Sequence, residues 1–173
     1  RWVGKKLKPE LYFFREEGER LFFPRGFAKQ AIQLCRQVTG AAPAVIDQRR
    51  RLASLHLEFN GTLRPYQDEA VAAVLKHSFG VLEAGTGSGK TVMALKIIAE
   101  RQQPALIIVH SKELLQQWRE RISQFLGVEA GVAGDGKFEI APVTVAIVNT
   151  ARKNLATLPA QFGHIVVDEC HRV

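Results

Sequence analysis

The run Ala84-Gly85-Thr86-Gly87-Ser88-Gly89-Lys90-Thr91 combines glycines with a lysine and a threonine at a spacing that suits polyphosphate binding. Glycines let the backbone curl so that several N–H groups reach phosphate oxygens without Cβ clashes. Lys90 would contact the β- and γ-phosphates, and the Thr91 hydroxyl would ligate Mg²⁺. The run fits the phosphate-loop pattern, with Ala84 where the first glycine often stands. It predicts a nucleoside triphosphate site, and a glycine-rich turn that binds no ligand is the alternative.

A second candidate site lies where the apolar run Ile165–Val167 ends in two acidic residues, Asp168 and Glu169. In doubly wound sheets, ligands bind at the carboxyl ends of the strands, which would place both carboxylates beside the phosphate loop. We expect Asp168 to hold Mg²⁺ through water and Glu169 to orient or deprotonate the attacking water. A solvated acidic turn is the alternative.

From Gly61 onward the chain alternates between strand and helix patterns, and these elements would position both sites. Helices are predicted after Pro65 and over residues 91–101 and 112–126. Strands are predicted over Phe79–Glu83, Ala105–Val109, Val143–Val148 and His164–Asp168. Strands that alternate with helices predict an α/β fold, in which helices cover both faces of a parallel sheet.

The residues ahead of this alternating region have a different pattern. The aromatic runs Leu11–Phe14 and Leu21–Phe23, separated by a polar stretch around Gly18, predict a β-hairpin. A helix is expected from Phe27 to Gly40, and Ala44–Ile46 is expected to form a short strand. We therefore predict a small α+β domain over residues 1–58 and a larger domain over residues 59–173.

The charge of the chain is concentrated in its first third. Residues 1–60 hold 12 Lys/Arg against 6 Asp/Glu, whereas residues 61–173 hold 12 against 11. A basic domain beside a nearly neutral one indicates polyanion binding, and a merely soluble basic surface is the alternative.

Cys35 and Cys170 lack metal-type spacing and favour an intracellular, cytoplasmic setting. No apolar run approaches the roughly 20 residues that cross a bilayer, so no membrane segment is expected.

Five motifs in order resemble those of superfamily 2 helicases. Asp168–His171 is similar to their DExH motif and Ala84–Thr91 to their phosphate-loop motif. Weaker likenesses follow the same order: Leu63–Gln67 to the Q-type motif, Ile107–Leu114 to motif Ia and Ala146–Thr150 to the next strand-end motif. The pattern is closest to the XPB and UvsW-like branch, which includes the translocating subunits of type III restriction enzymes. The resemblance implies a RecA-like lobe that binds ATP and Mg²⁺ in a DNA helicase or translocase.

The resemblance also implies individual roles. Gln67 would hydrogen-bond the adenine edge, and the Arg64 guanidinium would pack on the adenine face; ordinary residues at a helix start are the alternative. Three residues are implied to hold nucleic-acid phosphates: Ser111, Lys112 and Thr150. Helix capping is the alternative for these contacts. His171 would couple the nucleotide state to the rest of the motor, unless it is a partly buried structural histidine.

Complete motors of this family continue beyond the DExH motif into a further strand and a second RecA-like lobe, whereas this sequence ends at Val173, two residues after His171. We therefore expect the chain to bind nucleotide weakly, to hydrolyse little by itself, and to have the second lobe and nucleic acid as partners, with DNA favoured over RNA. The open alternatives are a translocating subunit of a restriction-modification complex, a non-catalytic nucleic-acid-binding module, and a phosphate-loop ATPase unrelated to nucleic acid.

Overall fold

A computed structural model describes residues 12–172, and their contacts divide the chain into two compact units, with the boundary in sequence between Gln48 and Arg49. This division lies ahead of the boundary suggested at residue 58, because the intervening residues bind the larger unit. The side-chain amide of Gln103 exchanges hydrogen bonds with the backbone of Leu52 at 2.8 and 3.1 Å. The amide of Gln102 does the same with the backbone of Leu57 at 2.9 and 2.7 Å.

The small unit contains an antiparallel hairpin and one helix. Strands β1 (Arg15–Glu17) and β2 (Arg20–Phe22) flank a turn in which Gly18 has a φ of 60°. The hairpin is confirmed, but its first strand is the charged segment rather than the aromatic run; Leu11 lies outside the described residues. Helix α1 (Ala28–Thr39) ends at Gly40, as predicted. The strand predicted at Ala44–Ile46 is wrong: all three residues are exposed and form no ladder within the described chain.

The larger unit contains a five-stranded sheet in the order β5-β4-β6-β3-β7. The strands are β3 (Ala105–Val109), β4 (Gly131–Gly134), β5 (Lys137–Glu139), β6 (Val143–Ile147) and β7 (His164–Val167). All neighbours run parallel except β5, which turns back antiparallel to β4, so the sheet is mixed rather than wholly parallel. The central strands read as continuous apolar runs because both of their faces are buried.

Four helices accompany this sheet: α2 (Pro65–Leu75), α3 (Lys90–Arg101), α4 (Lys112–Leu126) and α5 (Val148–Lys153). The first three are confirmed, and α5 was not predicted. Helices α3 and α4 bury Ile98 and Ile122 on one face of the sheet. On the other face, α5 and the turn after it bury Ala151 and Leu158. Helices therefore cover both faces, as the α/β prediction required.

The strand predicted over Phe79–Glu83 is wrong. No strand forms there in the described chain, and the Phe79 and Val81 side chains are 59% and 76% exposed. The run has strand-forming residue types, but a strand also requires ladder pairing, and residue types alone do not supply a neighbour. Strand β7 accordingly forms one edge of the sheet, where Ile165 and Val167 remain partly exposed.

No helix among residues 12–172 is long and apolar enough to span a bilayer.

Candidate nucleotide-binding site

The glycine-rich loop leads directly into helix α3. Gly87 and Gly89 have φ values of 79° and 84°, a left-handed conformation that side chains with a Cβ rarely adopt. Gly89 caps the helix, and its carbonyl accepts a hydrogen bond from the Met93 N–H at 3.0 Å. Lys90 begins the helix, so the backbone N–H groups of the first turn lack intrahelical partners and can face an anion.

The Lys90 ammonium lies over the loop. Its Nζ donates to the carbonyl oxygens of Ala84 and Gly85 at 2.9 and 3.3 Å. The Ser88 hydroxyl is buried and has no hydrogen-bond partner in the described part of the chain. A buried hydroxyl without a partner, next to an ammonium group and a helix N-terminus, fits the oxygen-rich phosphates of a nucleotide.

Helix α2 holds the loop through Gln67, whose side chain is buried. Its Oε1 accepts from the Arg64 N–H at 2.9 Å, and its Nε2 donates to the Ser88 carbonyl at 2.8 Å. The Tyr66 hydroxyl donates to the same carbonyl at 3.0 Å. Arg64 is exposed at the start of the helix. The structure thus brings Gln67 against the phosphate loop, a contact that the motif did not indicate.

Thr91 and Asp168 line the same cleft, whose volume is about 220 Å³. Asp168 follows β7 directly, and its backbone N–H donates to the Ile108 carbonyl at 3.0 Å, which extends the parallel ladder. The Trp118 indole Nε1 donates to Asp168 Oδ2 at 2.8 Å. The two predicted metal ligands are therefore brought together. Trp118 was not identified from the sequence; the signal available was that a buried indole N–H needs an acceptor.

One hydroxyl and one carboxylate suit Mg²⁺, which takes few protein ligands and retains water and phosphate oxygens. The donor set therefore fits a nucleotide-bound magnesium ion better than a metal held by the protein alone.

Glu169 and His171 closely follow Asp168 in the sequence, but their side chains do not line the cleft. Glu169 has a φ of 51°, an uncommon conformation for a residue with a Cβ, and such backbone strain clusters at functional sites. Its Oε2 lies 3.4 Å from His171 Nδ1, and both side chains are partly exposed. The pair forms one local unit directly after Asp168.

The candidate nucleic-acid residues follow strands β3 and β6, whose ends Val109 and Ile147 are paired in register. Ser111 caps α4: its hydroxyl accepts from the Leu114 N–H at 3.3 Å, which is the capping role weighed against phosphate binding. Thr150 lies half-buried in α5. Both residues therefore follow the carboxyl ends of parallel strands, on the side of the sheet where β7 also ends.

Lys112, the third candidate nucleic-acid residue, forms an ion pair with Asp135 in the turn between β4 and β5. The hydrogen bond to Asp135 raises the pKa of Lys112 above its ordinary value. The lysine is thus charged and exposed, but a carboxylate already neutralises part of its charge.

Comparison with known proteins supports a motor fold. The family described as type III restriction enzyme, res subunit, matches residues 60–173. The DNA 3'-5' translocase XPB2 of Sulfurisphaera tokodaii is 37% identical over 111 residues, which cover 64% of this chain and 25% of that protein. A relative from African swine fever virus, whose name describes an ATP-dependent RNA helicase, is 30% identical over 173 residues, 92% of this chain and 33% of its own length.

A solved structure is also similar. The Sulfolobus solfataricus SWI2/SNF2 ATPase core, in complex with dsDNA, has a TM-score of 0.57 at 21% identity and covers 70% of this chain and 28% of that chain. At this identity the likeness concerns the fold, and it confirms the RecA-like arrangement. The chain spans about a quarter to a third of these relatives' lengths. Because the family match covers more than half of its residues, this chain belongs to the type III restriction enzyme res subunit family of superfamily 2 helicase-like proteins.

Proposed function

We propose that this chain is the first motor lobe of an ATP-dependent helicase or translocase that acts on nucleic acid. One observation carries the proposal: Thr91 and Asp168 line a single cleft, and Lys90 lies over the adjoining phosphate loop. A hydroxyl, a carboxylate and an ammonium group within one site are the functional groups that a nucleoside triphosphate with Mg²⁺ requires.

Lys90 changes partners when the triphosphate binds. Its ammonium group leaves the carbonyls of Ala84 and Gly85 for the β- and γ-phosphate oxygens, which form stronger, charge-assisted hydrogen bonds. The loop N–H groups from Gly85 to Thr91 surround the phosphates, and the Ser88 hydroxyl gains the partner that it lacks. Thr91 and Asp168 would hold Mg²⁺, which would supply positive charge to the phosphate oxygens when bound.

Recognition of the base falls to the start of α2. A glutamine amide has two donors and two acceptor sites, and Gln67 uses one of each on the backbone. The remaining N–H and lone pair can pair with the adenine edge, while the exposed Arg64 guanidinium stacks on its face. Glu169 orients the attacking water, and His171, next to it, transmits the nucleotide state to the rest of the motor.

Nucleic acid binds where Ser111, Lys112 and Thr150 follow the strand ends. DNA is favoured because one relative is named a DNA translocase and the similar ATPase core was solved with dsDNA. Such contacts position a polyanion without reading its sequence. Binding requires Lys112 to exchange Asp135 for a phosphate, so its contribution is smaller than that of a free lysine.

ATP and nucleic acid as partners imply an intracellular protein, which the two free cysteines also favour.

The proposed domains before and after this lobe have separate roles. The basic segment within residues 1–58 contacts the nucleic-acid backbone, and Arg49–Arg51, which belong to the larger unit, take part in this contact. A second RecA-like lobe of the whole protein supplies the remaining transition-state charge, so the first lobe alone hydrolyses ATP little.

The family description favours a second candidate, the translocating subunit of a restriction enzyme. A nuclease domain in the whole protein would select that candidate.

The experiment is ATP hydrolysis by the whole protein, with and without duplex DNA. We expect DNA to stimulate turnover and Lys90→Ala to abolish it. Lys76→Ala, which removes an exposed lysine at the end of α2, is the control and should retain wild-type turnover. Persistent hydrolysis in Lys90→Ala would place the active site elsewhere, and turnover indifferent to any nucleic acid would contradict the motor function.

A further inference from the structure

Trp118 makes an unusual contact for a core residue. It is only 3% exposed and packs in the cluster that α3 and α4 form against the sheet. Its single polar atom, the indole Nε1, nevertheless reaches the end of β7 and donates to Asp168 Oδ2 at 2.8 Å. Fifty residues of sequence separate the two partners. A residue whose ring is fixed by apolar packing is thus hydrogen-bonded to the carboxylate that the proposed function assigns to Mg²⁺.

We propose that Trp118 is a positioning residue for the metal-binding carboxylate. The inference rests on the proposed function and adds a residue to it. The indole N–H holds Oδ2 of Asp168, so that Oδ1 would remain available to a magnesium ion. Trp118 also lines the cleft, and the role proposed for it is exerted through its hydrogen bond to Asp168.

The chemistry of the indole suits this task. An indole N–H donates but never accepts, so it cannot compete for the metal, and it does not titrate in the physiological range. Because α4 packs Leu115 and Ile122 on both sides of Trp118 into the same core, the donor is held in place before the metal arrives. Partners that orient metal ligands in this way change metal affinity about 10–100-fold when they are removed.

The test measures ATP affinity of the whole protein by calorimetry, once with Mg²⁺ and once with EDTA. The dissociation constant in EDTA divided by the dissociation constant with Mg²⁺ isolates the contribution of the metal to ATP binding. Trp118→Phe keeps an aromatic ring in the core and removes the N–H; we expect it to reduce the ratio about 10-fold while ATP affinity in EDTA stays within about 2-fold. Ile122→Val, a similar loss of volume one turn along α4, should leave both affinities at wild-type values.

A second variant keeps the test decisive if Trp118→Phe does not fold. Site-specific replacement of Trp118 with 3-benzothienylalanine retains the bicyclic shape and exchanges only the N–H for sulfur, and it should give the same reduced ratio. A wild-type ratio in that variant overturns the positioning role and leaves the proposed function intact. Absence of Mg²⁺-enhanced binding in the wild-type protein, in contrast, overturns the metal assignment of Asp168 and the positioning role with it.

Discussion

Replacing Gln67 with alanine tests how the phosphate loop is held. The side chain is 7% exposed and connects two backbone groups, the Arg64 N–H at 2.9 Å and the Ser88 carbonyl at 2.8 Å. Truncation removes both hydrogen bonds without removing the groups that formed them. The Arg64 N–H loses the partner that the side chain provided, whereas the Ser88 carbonyl keeps the Tyr66 hydroxyl.

These losses set the expected magnitude. An unsatisfied, partly buried N–H costs about 1–3 kcal/mol, and the lost bond at Ser88 costs about 1 kcal/mol. We therefore expect Gln67→Ala to lower the free energy of unfolding by about 3 kcal/mol. For a domain of this size, that change lowers the Tm by roughly 6–12 °C. ATP affinity should fall as well, because the loop is no longer held at Ser88.

Urea denaturation and ATP titration measure the two effects. Gln116→Ala is the control, because Gln116 is exposed and hydrogen-bonds only at the surface of α4; its stability should stay within about 0.5 kcal/mol of wild type. Gln67→Glu keeps the acceptor for Arg64 but turns an oxygen towards the Ser88 carbonyl, so it should weaken ATP binding even where the fold persists. If Gln67→Ala unfolds at the same urea concentration as Gln116→Ala, the loop is not held as described.

Three further changes follow from the same structure. Gly89→Ala should abolish ATP binding in a titration, because a Cβ there would overlap Gln67 Nε2 on a backbone with a φ of 84°; wild-type affinity would contradict this. Burial, with Arg101 nearby, lowers the pKa of His164 to about 4, so the unfolded chain binds a proton that the folded chain excludes. The free energy of unfolding should therefore fall by at most about 3 kcal/mol between pH 6.5 and 4. An unfolding series against pH should show this fall in the wild type and not in His164→Asn, and equal pH profiles would mean that the histidine is solvated. Ser111→Ala should lower stability by about 1 kcal/mol through loss of the α4 cap, and a DNA-binding assay that shows no accompanying loss would assign Ser111 to capping alone.

Local signals explain the parts of the fold that could be predicted. Helix α4 was predicted with its observed limits because Ser111 caps it, apolar residues recur at helical spacing, and Gly127 ends it in a left-handed conformation. Strands β3 and β6 were recognisable because buried parallel strands are continuous apolar runs, and β7 was recognisable from the apolar run Ile165–Val167. Asp168 could therefore be assigned to a strand end, whereas the strand predicted ahead of the phosphate loop does not form in the described chain.

The remaining parts depend on contacts between distant residues. Strand β4 is rich in glycine, a poor strand former, yet a Cβ at Gly134 would lie 2.7 Å from Ile147, so tertiary fit determines the residue there. Helix α5 has six residues, too few for a periodic pattern. The hydrogen bond from Trp118 to Asp168 has no local signature at all, because it joins a helix to a strand end across 50 residues.

A crystal structure of the whole protein with Mg²⁺ and a non-hydrolysable ATP analogue tests the central claim most directly. We predict one magnesium ion in the cleft, with Thr91 Oγ1 about 2.1 Å away, Asp168 on its coordination shell directly or through water, and the Lys90 ammonium on the phosphates instead of the loop carbonyls. A nucleotide bound elsewhere, or an Asp168 carboxylate turned away from the metal, would contradict the account.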